Sequence, residues 1–115
     1  PYTIYGGMQD NGSWGGPSRA LDGKGPINAD WRFIAGGDGF VCRVAPDDDD
    51  IVYTESQDGN ISYRNLRTGE GRGIRPQPKA GEGPFRFNWN TPFIVSSHDP
   101  RTVYIGGNHV FRSQT

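Results

Sequence analysis

The sequence predicts an all-β chain built from β-propeller blades, each a sheet of four antiparallel strands, with the propeller incomplete within these residues. Three observations carry that prediction. Short β-branched and aromatic runs alternate with Gly, Asp, Asn and Pro clusters; a segment recurs with a period of about 50 residues; and no stretch reads as a long amphipathic helix. Composition agrees: the 115 residues include 18 Gly and 9 Pro, and the hydrophobic set makes up only 32%. That is too little for a helical bundle and allows only a thin core. Aromatic residues at 12% speak against a disordered chain, which is usually poor in them.

The recurrence rests on three segments: Ile4-Tyr5-Gly6-Gly7-Met8-Gln9-Asp10, Val52-Tyr53-Thr54-Glu55-Ser56-Gln57-Asp58 and Val103-Tyr104-Ile105-Gly106-Gly107-Asn108. Tyr5 and Tyr53 stand 48 positions apart, and the pairs Gln9-Asp10 and Gln57-Asp58 keep that offset. Gly59-Asn60-Ile61-Ser62-Tyr63-Arg64 matches Gly107-Asn108-His109-Val110-Phe111-Arg112 at the same 48. Tyr53 and Tyr104 are 51 apart, so the third copy is expected to lack three residues between its aromatic strand and the turn that follows.

The middle copy reads most completely. An inner run over residues 31–44 is broken by Gly36-Gly37-Asp38-Gly39; residues 45–50 make a turn and 51–56 a second strand. A tight turn at 57–60, a third strand at 61–66, a turn at 67–70 and a weak outer strand at 71–75 complete it. Four short strands in about 50 residues is the arithmetic of a propeller blade. Residues 1–30 are then the end of one blade and its connection, 31–84 a complete blade and its connection, and 85–115 the start of the next. The first copy lacks its inner strand. An isolated pair of blades leaves apolar faces and strand edges open, so the expected partners are further blades, from the same longer polypeptide or from copies of this chain.

Charge excludes some function classes. The net charge is −1 with pI about 6.1, which gives no global field toward nucleic acid or an anionic membrane. Locally, 38–58 holds seven acidic residues against one Arg, and 64–86 holds six basic against two acidic, as expected of solvated loops on different faces. No apolar run approaches the ~20 residues of a membrane span, and no basic-then-apolar leader is read. The chain is expected to be soluble as it stands, or a piece processed or excised from something longer. The single cysteine, Cys42, excludes an internal disulfide and a Cys-rich zinc site.

Four phrases resemble a known family: Tyr5-Gly6-Gly7-Met8-Gln9-Asp10-Asn11-Gly12, Gly36-Gly37-Asp38-Gly39-Phe40, Tyr53-Thr54-Glu55-Ser56-Gln57, and Tyr104-Ile105-Gly106-Gly107-Asn108-His109-Val110-Phe111-Arg112-Ser113. They are similar to the large bacterial BNR/Asp-box repeat proteins, related to the sortilin propeller and labelled glycosyl hydrolase-like. The Asp box, Ser-x-Asp-x-Gly-x-Thr-Trp, is approximated by Ser56-Gln57-Asp58-Gly59 and by Asp10-Asn11-Gly12 with Trp14, and Ser113-Gln114-Thr115 opens a further one. The resemblance implies seven or more blades in a longer polypeptide, of which this chain holds about 2.3, and an extracellular, periplasmic or envelope location. It carries over no catalytic residue.

Glycoside hydrolysis needs two carboxylates flanking a bond, one with a raised pKa. The catalytic candidates are Asp38, flanked by glycines on an expected channel-side strand, and Glu55, on a strand. Asp10 and Asp58 recur at one repeat position, which suits a structural turn better than an active site. Asp47-Asp48-Asp49-Asp50 lacks the ligand spacing of a calcium loop and reads as a solvated turn. His98 and His109 are not spaced as a metal pair, and no metal or cofactor is expected. For a ligand, the candidates are Asp38, Arg86, Asn88, Trp89 and Asn90. In Phe85-Arg86-Phe87-Asn88-Trp89-Asn90, rings and amides suit sugar faces and hydroxyls, whereas the alternating aromatics equally suit the buried side of a strand. The functional expectation is a non-catalytic propeller repeat presenting a surface for protein or glycan. The alternatives are part of a glycoside hydrolase-like enzyme or an assembly subunit of a larger complex.

Overall fold

The computed structural model describes residues 2–21 and 23–114; Thr115, the last residue of the third Asp-box phrase, lies outside them. The described residues are all-β, with three antiparallel sheets and, among these residues, two short 3-10 turns. Sheet 1 holds β1 (Thr3–Met8), β2 (Gly12–Pro17) and β3 (Arg32–Ala35), in that order. Sheet 2 holds β4 (Cys42–Ala45), β5 (Asp48–Glu55), β6 (Ile61–Asn65) and β7 (Gly71–Gly73). Sheet 3 holds β8 (Phe93–Val95), β9 (Thr102–Gly106) and β10 (Val110–Gln114). Every pairing is between neighbours in sequence, so each sheet is a simple meander.

The run over 31–44 is two strands on different sheets rather than one interrupted inner strand. Arg32–Ala35 closes sheet 1 against β2, and Cys42–Ala45 opens sheet 2 against β5. The connector 36–41 carries the chain between them. Gly37 has φ +79°, a left-handed backbone that glycine adopts without a Cβ clash. A Cβ on Gly39 would collide with the carbonyl oxygen of Gly12 and the Cα of Gly7. The glycine cluster is therefore the place where the connector lies directly on the β1–β2 hairpin. The expected turn over 45–50 is shorter than read, since β5 begins at Asp48. Likewise residues 85–92 are connector, not strand, and β8 begins at Phe93.

The hairpins explain the irregular spacing of the third copy. Tyr5 pairs with Gly15 and Tyr53 with Tyr63, ten residues on in each case, whereas Tyr104 pairs with Arg112, eight residues on. The third hairpin is thus two residues shorter, not three. Because side chains alternate faces along a strand, the one-residue difference puts Phe111 on the opposite face from the position Tyr63 occupies in its own sheet.

Two inter-sheet interfaces make the core, and they differ in chemistry. Between sheets 2 and 3, Tyr53, Ile61, Phe93, Val103 and Ile105 are buried together, with Ile51, Tyr63, Phe87 and Phe111 packed around them. Each buried side chain of this size contributes roughly 1.5–3 kcal/mol. The side of sheet 1 that faces sheet 2 carries small residues instead of a cluster of large apolar ones. Gly15 lies under the Tyr5 ring, with Ile34 next to it, Gly7 lies against Gly39 and Phe40, and Ser13, Thr54 and Val52 are buried.

Candidate functional site

All three hairpin turns and both inter-sheet connectors are tied together, and the sequence-predicted residues fall in this region. The turn between β1 and β2 and that between β5 and β6 each contain an aspartate in the left-handed conformation, Asp10 at φ 66° and Asp58 at φ 61°. Asp tolerates this region better than most non-glycine residues. The backbone turns each N–H toward the connector that follows: Asp10 N–H donates to Asp38 Oδ1 at 2.7 Å, and Asp58 N–H donates to the Trp89 carbonyl at 3.2 Å. The next hairpin grips the same connector from its other side. The Asp38 N–H donates to Gln57 Oε1 at 3.0 Å. Asn108 closes a reciprocal pair with Arg86, accepting from its N–H at 3.0 Å and donating to its carbonyl at 2.9 Å. Each connector is thus clamped between two hairpins.

Asp38 sits in the first connector, not on a strand, because the flanking glycines end the extended run. Its carboxylate is engaged by the Asp10 amide. Glu55 ends β5 and is only 1% exposed. No well-formed hydrogen bond holds its carboxylate oxygens, although the N–H groups of Val41 and Thr91 lie close to them. Burial pushes its pKa up to about 7, opposed by the nearby N–H groups of Val41 and Thr91. Cavities of about 660, 520 and 470 Å³ open on the surface, and neither Asp38 nor Glu55 lines any of them. The structure does not bring the two carboxylates to a common cleft.

The run over 85–90 divides by side. Phe85 and Phe87 turn inward, with ring centroids 4.6 and 5.6 Å from that of Phe111. Phe87 also lies over Gly59, and the Arg75 guanidinium sits 4.7 Å from the Phe87 ring centre. Arg86, Asn88, Trp89 and Asn90 are exposed. Trp89 breaks the alternation: the residue is 53% exposed, and its ring meets that of Phe40 edge to face at 6.4 Å between centroids. The backbone beneath it is fixed, with the Asp58 N–H on the Trp89 carbonyl and the Thr91 hydroxyl donating to the Asn88 carbonyl at 2.8 Å. The Phe40–Trp89 contact joins the two connectors into one aromatic ledge, flanked by an Arg and two amides.

Among the described residues no group of three or more His, Cys, Asp or Glu is placed to hold a metal ion. Asp48 accepts the Asp50 N–H through its own carboxylate at 3.0 Å, and Asp50 lies 3.8 Å from Arg67. The His109 ring packs against Phe85 and Phe111. Cys42 is a half-buried free thiol whose pKa is raised by burial, with the Ser13 hydroxyl opposing. Sequence reasoning missed Gln57 and Asn108 as clamps, although recurrence of the Gln-Asp pair was the signal for the first. It also missed Phe40 as the partner of Trp89, which no local pattern marks.

Compared with known proteins, the chain matches no family model, no curated protein and no solved structure.

Proposed function

We propose that the chain is a non-catalytic repeat segment of a β-propeller in a secreted or envelope protein, and that the ledge at Trp89 binds ligand. Support for the repeat reading comes from the sheets themselves. If β1, β5 and β9 are equivalent second strands, sheet 1 holds strands two to four, sheet 2 all four, and sheet 3 strands one to three. Further repeats of the same kind would complete the two outer faces.

The observation that carries the binding reading is the exposed Trp89 ring on a backbone clamped from both sides. An aromatic face stacks on the C–H side of a sugar ring, and the amides of Asn88 and Asn90 and the Arg86 guanidinium supply donors for its hydroxyls. A glycan therefore suits the ledge better than an apolar peptide. Titration calorimetry against a panel of oligosaccharides tests this. Trp89→Ala is expected to weaken binding at least tenfold, about 1.4 kcal/mol, without changing the unfolding transition. Equal binding by the variant, or no saccharide bound at all, defeats the reading.

One observation favours the glycoside hydrolase-like alternative: Glu55, with a pKa of about 7, has the protonation behaviour of a general acid. Its burial away from a cleft and the engagement of Asp38 count against that role. Polysaccharide hydrolysis abolished by Glu55→Gln would restore the alternative.

A further inference from the structure

The chain exposes two sheet faces that, by its own internal repetition, are the two halves of one interface. At the repeat position shared by Ile4, Val52 and Val103, the side chain points to the preceding sheet. Val52 and Val103 are 0% exposed, and Ile4, in the first of the three sheets, is 44% exposed. At the position shared by Tyr5, Tyr53 and Tyr104, the side chain points to the following sheet. Tyr5 is half-buried toward sheet 2, Tyr53 is 1% exposed against sheet 3, and Tyr104 is 37% exposed. The open side of sheet 1 is therefore of the type that receives a following-face tyrosine, and the open side of sheet 3 presents one.

Shape and chemistry match as well. Ile4, Gly6, Met8, Trp14 and Trp31 line an apolar hollow of about 520 Å³ on sheet 1. A Cβ built on Gly6 would meet nothing within 4 Å, so the hollow is open above that glycine. Gly6 stands where Thr54 and Ile105 stand in the other two sheets, and Ile105 belongs to the cluster in which Tyr53 is buried. On sheet 3, Tyr104 is flanked through strand register by Ile94 and Arg112. An Arg beside the tyrosine complements the rings of Trp14 and Trp31 by cation–π attraction.

We propose that copies of this chain associate head to tail, Tyr104 of one copy seating over Gly6 of the next. The proposal rests on the repeat reading above. Such a contact is heterologous, so it either closes into a ring or extends. It continues the interface that sheets 1, 2 and 3 already form among themselves.

Sedimentation velocity over a concentration series tests it with the 115-residue chain and two variants, Gly6→Glu and Tyr104→Glu. Gly6 has open space and no positive φ, and Tyr104 is exposed, so both variants are expected to keep the wild-type circular dichroism spectrum. The wild type is expected to assemble beyond a dimer as concentration rises, and each variant to stay monomeric. An equimolar mixture of the two retains one intact Tyr104 face and one intact Gly6 face. It is expected to form a 1:1 dimer that grows no further. A wild type monomeric at every concentration overturns the proposal and leaves the faces to another occupant. Self-association by either variant alone, or a mixture that stays monomeric, overturns the head-to-tail geometry. Saccharide binding by the monomeric variants is read separately, so a failure of assembly and a failure of the ledge are told apart.

Discussion

The carboxylate of Asp38 accepts the backbone N–H of Asp10 at 2.7 Å, and these two residues, 28 apart in sequence, belong to different sheets' machinery: a hairpin of sheet 1 and the connector into sheet 2. An amide bonded to a carboxylate is among the stronger hydrogen bonds in a protein. Removing it hands the Asp10 N–H of the left-handed turn to water, since the bond is solvent-exposed. Asp38→Ala is expected to lower stability by about 0.5–1.5 kcal/mol, because the bond is exposed to solvent, and Asp38→Asn, which keeps an acceptor but not the charge, by about half as much. Urea unfolding midpoints of the three proteins check the order. Equal midpoints for Ala and wild type would show the clamp to be idle.

Glu55 makes stability depend on pH in a defined direction. Its folded pKa, about 7, lies above the ordinary 4.5, so the folded state holds the proton more tightly than the unfolded chain. Between those two values the folded state binds more protons, and stability falls as pH rises. Below pH 4.5 the side chain is neutral in both states and carries no penalty. Above pH 7 the full penalty is present, roughly 3 kcal/mol from a shift of this size. The ionised Glu55 adds a smaller upward push to the Cys42 thiol, whose pKa is raised mainly by burial. Glu55→Gln is therefore expected to match wild type in acid and to exceed its stability at pH 8. Urea unfolding of both proteins across this range reads the difference; a constant difference at all pH values would assign the effect to packing.

Gly39 and Gly23 form a matched pair for the close-approach argument. A Cβ on Gly39 would strike backbone atoms of Gly12 and Gly7, which a rotamer change cannot move, whereas one on Gly23 meets nothing within 4 Å. Gly39→Ala is expected to separate the connector from the hairpin and cost about 1–3 kcal/mol, the usual range for overpacking. Gly23→Ala is expected to stay within about 0.5 kcal/mol. Thermal unfolding of the two variants gives the comparison.

Much of the fold was legible because its signals are local. Recurring Tyr5, Tyr53 and Tyr104 mark equivalent strands, and Asp10 and Asp58 mark equivalent turns whose left-handed backbone selects similar residues each time. What failed was pairing over distance. Phe33-Ile34 and Phe40-Val41 look like one broken apolar run, yet β3 belongs with β2 because Phe33 faces Trp14 in the sheet and meets its ring at 5.4 Å. The match of Tyr63 to Phe111 followed residue type, whereas strand register equates Tyr63 with Arg112, because the hairpin is shorter by two residues and not by the three that the match implies. Of the candidate ligand residues, Arg86, Asn88, Trp89 and Asn90 were legible as exposed polar and aromatic types on one segment, and Asp38 was not. The engagement of Asp38 and the burial of Glu55 depend on groups from other strands and connectors, for which a single stretch of sequence holds no signal.

Asp58 offers the last test, because its role lies in the backbone. Its N–H donates to the Trp89 carbonyl at 3.2 Å and its carbonyl accepts from Arg75 Nε at 3.0 Å, both at φ 61°. A residue that adopts this conformation freely keeps both bonds. Asp58→Gly removes the left-handed penalty of about 1 kcal/mol, while the greater freedom of glycine in the unfolded chain opposes it by a similar amount. The net change is expected to lie within about 0.5 kcal/mol. Asp58→Val places a β-branched residue where its Cβ crowds the following carbonyl, and is expected to cost at least about 2 kcal/mol. It should also loosen the backbone beneath Trp89, because the turn must relax away from φ 61° and draw the N–H off its acceptor. Tryptophan fluorescence would then shift in the Val variant and not in the Gly variant, and exchange of the backbone amide at position 58 would accelerate only in the former. If both substitutions destabilise alike, the aspartate side chain rather than the turn geometry holds the second connector.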